Sequence, residues 1–190
     1  DSSFTFSQKE FAAFLYDGNQ YSTNWCSKET WSTSGDSLCY FIENAQLYGL
    51  FPEDYHADAI KAIRNKFVGD SSGKNDRKDA SLWAKVDIML TDAFIQIVKD
   101  IKIGRLPDDS ISLRKDSVLS NEFYQQQLNA VFSNGLISTI ESLEPKQPEY
   151  LLLKSGIKKF LDGADYRKFT IIPYPEKNQQ KFKQLLQKRL

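Results

Sequence analysis

The sequence predicts a mostly α-helical domain in which several helices pack irregularly around one long central helix. Apolar residues recur at the i, i+3, i+4, i+7 spacing of amphipathic helices along most of the chain. The segment from about 80 to 103 is apolar over so much of its circumference that we expect it to be packed on several sides. Only residues 167–172 have the composition of a strand, so any sheet is minor.

The helices before the central one have recognisable start and stop residues. Ser7 and Glu10 form a capping box at the first helix, and Gly18 follows its last turn. Residues 19–35 are rich in Ser, Thr and Asn, which predicts a loop. The next helix ends before Gly49. These predicted helices span about residues 7–16, 36–48 and 56–67.

The helices after the central one follow the same rules. Gly104 ends the central helix, Gly135 separates the next two helices, and Pro148 stands in a first helical turn, where proline is tolerated. These predicted helices span about residues 121–133, 136–143, 148–162 and 176–190. In the helix over 148–162, the side chains expected to point inward are Tyr150, Leu153, Ile157, Phe160 and Leu161.

Composition excludes several classes of function. The 190 residues include 25 basic and 25 acidic side chains, and this balance argues against a dedicated nucleic-acid binder. No stretch approaches the about 20 apolar residues of a membrane helix. His56 is the only histidine, so a two-histidine metal site cannot form, and we expect no metal and no cofactor. The chain contains neither of the Gly-rich phosphate-binding motifs G-x-x-x-x-G-K and G-x-G-x-x-G.

The two cysteines leave two interpretations open. Cys26 and Cys39 have neither redox nor zinc-ribbon spacing. A disulfide between them would close a loop worth about 3 kcal/mol in the chain-entropy model and would imply an oxidising compartment. The alternative is two free thiols, with Cys39 buried. Catalysis by Cys39 with His56 is a minor hypothesis, since a nucleophilic thiol also needs donors for an oxyanion.

Aromatic side chains on the polar loop are the best candidates for ligand contact. Tyr21, Trp25 and Trp31 could stack on sugar rings, because amphipathic aromatic rings are common at interfaces. The competing interpretation is that they fold back and cover the helical core. We favour the second interpretation, although the loop remains the best binding candidate in the chain.

One acidic residue on the central helix is expected to be buried. Asp92 lies on a helix so apolar that its carboxyl group needs a partner, for which Arg105 or a backbone donor could serve. A structural hydrogen bond is the favoured role. An unrecognised enzyme would instead have an open site at Asp92 or His56 with polar groups converging on it.

Three stretches together resemble one protein family. They are YGLFPEDYHADAI, MLTDAFIQIVKDIKIGRL and LEPKQPEYLLLKSGIKKF, and they occur in order between about residues 11 and 162. They are similar to the helix junction, the central helix and the proline-flanked helix entry of the scaffold domain in large bacterial L,D-transpeptidases. These periplasmic enzymes cross-link the stem peptides of peptidoglycan.

The resemblance implies that the chain itself is non-catalytic. Family enzymes have a separate catalytic domain with a histidine and a Ser/Thr-His-Gly-Cys motif, and neither Cys26 nor Cys39 matches that motif. The chain therefore looks like an N-terminal part whose partner is a downstream catalytic domain of the same polypeptide, and peptidoglycan is a further candidate partner. The first residue is Asp1, which fits removal of an export signal and a periplasmic or cell-envelope location.

The domain organisation expected from these observations has three parts. Residues 1–35 hold a helix and the aromatic loop, packed on the domain that follows. Residues 36–165 are the helical scaffold domain. Residues 166–190 hold a short strand and a terminal helix that lead to a missing downstream module. The alternative to a transpeptidase scaffold is a stand-alone module that binds peptidoglycan, another glycan or an envelope protein.

Overall fold

The structure, a computed structural model, describes residue 6 and residues 8–68, 78–105 and 119–163, with isolated positions 180, 183, 184 and 187. The described residues form a mostly α-helical fold with one minor two-stranded sheet, which confirms the predicted fold class. The chain divides into the units Asp1–Lys158 and Lys159–Leu190. The boundaries expected after residues 35 and 165 remain predictions. The strand expected at 167–172 lies outside the described residues, and so does the helix expected at 176–190, apart from the helical positions 180, 183, 184 and 187.

The elements before the central helix agree with the predicted helices to within a few residues. They are α1 (Lys9–Gly18), β1 (Cys26–Ser27), β2 (Thr30–Trp31), α2 (Thr33–Glu43) and α3 (Ala57–Val68), with short 3₁₀ turns at Ala45–Tyr48 and Pro52–Tyr55. The first helix begins at Lys9, slightly later than expected. Its N-cap is Gln8, whose side chain makes no capping hydrogen bond. Ser7 lies outside the described residues, so the capping box of Ser7 and Glu10 stays a prediction.

The central helix α4 spans Ala80–Lys102 and confirms the strongest sequence prediction. The Asp79 side chain caps it by accepting from the N–H of Ser81 at 2.8 Å. The helix buries apolar side chains around most of its circumference, and helices α1, α2, α3, α5 and α6 all contact it. Several of its polar residues are consequently buried as well.

Within residues 119–163, three helices follow α4. They are α5 (Asn121–Asn134), α6 (Leu136–Leu143) and α7 (Pro148–Gly163). The Ser120 hydroxyl caps α5, and Gly135 separates α5 from α6. The prediction that α7 has a buried inward face is wrong. This helix buries no residue, and its side chains Leu153 and Phe160 are 70% and 74% exposed.

The loop predicted over residues 19–35 contains a small hairpin. Strands β1 and β2 pair antiparallel, with Cys26 opposite Trp31. The two turn residues Lys28 and Glu29 have φ of 51° and 59°, as the central positions of a type I′ turn require. Sequence analysis missed the hairpin because these residues lack the Asn-Gly signature of that turn.

Gly35 lets the hairpin approach helix α2 closely. A Cβ atom at Gly35 would lie 2.1 Å from the carbonyl oxygen of Trp25, a distance that no real contact permits. The hydroxyl of Ser32 donates to that same carbonyl oxygen at 2.9 Å and caps α2 by accepting from the N–H of Gly35. The hairpin is thereby fixed against the start of α2.

Candidate functional site

Helix α4 carries a set of polar side chains into the core of the domain. The buried members are Asp87, Thr91, Asp92 and Asp100. A buried polar group is costly unless it is hydrogen-bonded, so each of these side chains should have partners. The partners come from distant segments of the chain, and we call this set with its partners the α4 polar network.

Asp87 binds three successive backbone N–H groups of the hairpin segment. Its Oδ1 atom accepts from Trp25 at 2.7 Å and from Cys26 at 3.2 Å, and Oδ2 accepts from Asn24 at 3.0 Å. The hydroxyl of Tyr16 also donates to Oδ2, at 2.5 Å. One side chain thus satisfies buried donors of α1 and of the hairpin together.

Thr91 extends this arrangement by one turn of α4. Its hydroxyl oxygen accepts from the indole nitrogen of Trp25 at 2.9 Å and lies 2.8 Å from the hydroxyl of Tyr16. Burial raises the pKa of Tyr16, and the negative charge of Asp87 raises it further. Tyr16 therefore keeps its proton and remains a donor at physiological pH.

Asp92 is buried and fully paired, as a structural role requires. Its Oδ1 atom accepts from the backbone N–H of Gln8 at 2.7 Å, and Oδ2 lies 2.8 Å from Nε2 of His56. The domain is packed at Asp92, which is 1% exposed, and this argues against catalysis there. His56 has φ of 59°, so its backbone is held in the left-handed region.

Arg105 is not the partner of Asp92, so of the two partners expected from the sequence, Arg105 or a backbone donor, only the backbone donor is found. Asp92 lies ten residues, or about 15 Å of helical rise, before the end of α4 at Lys102, and Arg105 lies beyond that end. Arg105 instead binds Asp54, with Nη2 at 2.7 Å from Oδ2, and its guanidinium group lies 4.3 Å from the ring centroid of Phe51. This exposed pair links the end of α4 to the second 3₁₀ turn.

At the C-terminal end of α4, the polar network is centred on Asp100. Its Oδ2 atom accepts from the hydroxyl of Tyr55 at 2.8 Å, and Oδ1 accepts from Nε2 of Gln96 at 2.8 Å. The Gln96 Oε1 atom accepts from the side chain of Gln8 at 2.9 Å. Burial raises the pKa of Asp100. The sequence contained a sign of this row of polar side chains on one face of α4, because Asp92, Gln96 and Asp100 recur at four-residue spacing.

Cys26 and Cys39 are free and buried. No disulfide joins them, so the interpretation as two free thiols is the correct one. The thiol of Cys26 contacts Oδ1 of Asp87 at 3.2 Å. Burial raises the pKa of Cys26, with a further contribution from Asp87, and burial raises that of Cys39 against the opposing effect of Arg64. Both thiols therefore stay protonated, which makes them poor nucleophiles.

The three loop aromatics have different surroundings. Trp25 is completely buried and packs on Phe94 at 5.4 Å between ring centroids, so the hypothesis that it contacts a ligand is wrong. Trp31 is half-buried against Trp83, at 5.2 Å between centroids. Tyr21 is 75% exposed and keeps its place as a candidate for ligand contact.

Among the described residues, two grooves open near the network. The α1 groove, of about 320 Å³, is mostly apolar; its lining is Phe6, Lys9, Ala12, Ala13, Tyr16, Tyr21, Thr23, Ala84, Asp87 and Ile88. The α4-end groove, of about 460 Å³, has mixed polarity; its lining is Tyr48, Leu50, residues 100–104, Leu143, Glu144, Pro145, Gln147 and Tyr150. Both volumes are in the range of ligand sites.

Glu144 is a buried acidic residue that sequence analysis missed. Lys154 Nζ lies 2.7 Å from both of its carboxylate oxygens, and the hydroxyl of Tyr150 donates to Oε1 at 2.7 Å. Lys154 also lies 4.4 Å from the ring centroid of Tyr48. These contacts attach the start of α7 to the domain through polar groups, although α7 buries no residue completely.

The described part of the chain lacks two kinds of feature. No group of three or more His, Cys, Asp or Glu side chains there could hold a metal ion. None of the helices there is both long and apolar enough to cross a membrane.

The fold and the network define a structural class: an α-helical domain whose buried polar groups are used to join its own segments. A family model described as Scaffold domain matches residues 11–156. The chain belongs to this family of scaffold domains, which confirms the predicted family at that level. No curated protein and no solved structure matches the chain significantly.

Proposed function

We propose that the chain is the non-catalytic scaffold of a cell-envelope, L,D-transpeptidase-like protein. In this role it holds a catalytic domain of the same polypeptide in position for peptidoglycan cross-linking in the periplasm. The family match supports the scaffold part of the proposal. The transpeptidase part rests on the resemblance of three stretches of the sequence.

The observation that best supports a positioning role is that two of those stretches bind each other through their distinctive residues. Tyr55 donates to Asp100 at 2.8 Å, and His56 lies 2.8 Å from Asp92. These contacts join the Pro-Glu-Asp-Tyr-His junction to the central helix. Residues that are engaged in holding segments together are suited to a rigid support, because their rotamers are fixed by their partners.

The first experiment is to sequence the gene beyond the codon of Leu190. A downstream histidine with a Ser/Thr-His-Gly-Cys motif supports the proposal. A reading frame that ends near Leu190 contradicts it.

If that motif is present, the cross-linking activity of the full-length protein tests positioning. Replacing Asp87 by Ala should lower activity by loosening the scaffold, although Asp87 lies outside the catalytic domain. Asp58→Ala is the matched control, because Asp58 is an exposed residue in the first turn of α3. Equal activity of the Asp87 variant and the control would contradict a positioning role.

A stand-alone module that binds peptidoglycan, another glycan or an envelope protein is the second candidate. The exposed ring of Tyr21 at the mouth of the α1 groove favours it. Residues 1–190 should then be retained on isolated sacculi at low salt, and Tyr21→Ala should weaken retention. Tyr40→Ala is the control, since Tyr40 is similarly exposed but does not line that groove. Absence of retention would count against glycan binding.

A further inference from the structure

The lining of the α4-end groove includes apolar and aromatic side chains. Leu50, Ile101 and Leu143 are buried residues that line it. Tyr48 and Tyr150 contribute the aromatic part of the lining. An apolar surface with a few polar groups is the usual composition of a small-molecule site, and about 460 Å³ accommodates a ligand of amino-acid size.

Asp100 contributes a carboxylate to the lining of this groove, and the positive charges of Lys99 and Arg105 act on it without forming an ion pair. It is only 7% exposed, and its two hydrogen bonds come from neutral donors, Tyr55 and Gln96. Within the described residues, Asp100 forms no ion pair. It also lies in the last turn of α4, where the helix dipole adds negative potential. A cation entering the groove would therefore be favoured at Asp100.

The protein's own Lys154 demonstrates that an ammonium group suits this region. Its Nζ atom lies 4.4 Å from the ring centroid of Tyr48 and 2.7 Å from Glu144, two residues that line the groove. Stacking of an ammonium group on an aromatic face and pairing with a carboxylate are the two interactions that recognise amines. A ligand amine would use Asp100 in the same way that Lys154 uses Glu144.

Lys102 places a positive charge on the same lining. It is exposed and forms no ion pair with any described residue. Because it is two positions after Asp100 on α4, the two side chains leave the helix in different directions. A ligand carboxylate would be favoured at Lys102.

We propose that the α4-end groove binds a small zwitterionic ligand of the amino-acid class. The ammonium group lies at Asp100, the aliphatic skeleton lies on Leu50, Ile101 and Leu143, and the carboxylate lies at Lys102. This proposal is independent of the role proposed above, because it depends only on the groove and its charges.

The test compares three probes by isothermal titration calorimetry on residues 1–190. The probes are ε-aminocaproate, which carries both charges, hexylamine, which carries only the cation, and hexanoate, which carries only the anion. The zwitterion should bind at least about tenfold more tightly than either single-charge probe, because each adds only one charge-assisted contact. Equal binding of hexanoate and ε-aminocaproate, or no binding at millimolar concentration, would overturn the proposal.

Variants separate the two charges. Lys102→Ala changes an exposed residue, so the fold should survive, and ε-aminocaproate should then bind no better than hexylamine does. Asp100→Asn should weaken ε-aminocaproate and hexylamine alike. Lys85→Ala is the control, since Lys85 is on α4 but does not line the groove. Unchanged affinity in the Lys102 variant would overturn the assignment even if Asp100→Asn fails to fold.

Discussion

The Oδ1 atom of Asp87 lies 2.7 Å from the backbone nitrogen of Trp25, which is 62 residues away in the sequence. This bond connects the central helix to a segment that has almost no regular secondary structure of its own. The N–H groups of that segment are buried and need acceptors. The acidic side chain on α4 thus replaces the sheet partners that the short hairpin lacks.

Replacing Asp87 by Ala should therefore be among the most destabilising single changes in the domain. It would leave three buried backbone N–H groups and the hydroxyl of Tyr16 without their acceptor. The expected loss in the free energy of unfolding is about 3–5 kcal/mol, measured by urea denaturation. Asp58→Ala serves as control, and a loss below about 1 kcal/mol for the Asp87 variant would contradict this role of Asp87.

Gly35 and Gly18 provide a matched pair for the close approach of the hairpin. Gly35→Ala should cost about 3 kcal/mol or more, because its Cβ would lie 2.1 Å from the carbonyl oxygen of Trp25. Gly18→Ala should be neutral or slightly stabilising, because its Cβ would meet Gln125 at an ordinary 3.5 Å. Thermal denaturation of the two variants measures this difference, and similar melting temperatures would refute the contact.

The thiols should be free and unreactive in the folded protein. Burial raises the pKa of Cys26 and of Cys39, so the reactive thiolate is scarce at neutral pH. Iodoacetamide should modify neither thiol in native buffer and both in denaturant without reductant, as counted by mass spectrometry. Failure of both thiols to react in denaturant would reveal a disulfide and contradict the structure.

Asp100 should make stability fall as the pH rises through its titration range. Because burial raises its pKa, the folded state holds this proton at pH values where the unfolded state has released it. The folded protein then binds more protons than the unfolded chain between the ordinary aspartate pKa and the raised one, so rising pH destabilises it there. The free energy of unfolding of the wild type, minus that of Asp100→Asn, should decrease across this window and be constant below it. A difference that increases with pH would contradict the assignment.

The positions of the helices could be predicted from the sequence because helical periodicity and end signals are local. Helix α4 was predicted over 80–103 and spans Ala80–Lys102, and the predicted helices from 121 onward match α5, α6 and α7 closely. The scaffold-domain family could also be recognised from short local motifs. Burial of Asp92 was predictable for the same reason, since its helix is apolar on nearly all sides.

The partners of the buried groups were decided only by the tertiary structure. The sequence left Asp92 with two possible partners, and the packing of α1 and of the second 3₁₀ turn selected the N–H of Gln8 and added His56. The sequence permitted Trp25 to be exposed, and Thr91 and Phe94 made it a core residue. Hydrogen-bond partners and burial depend on which distant segments meet, whereas helix formation depends on neighbours within a few residues.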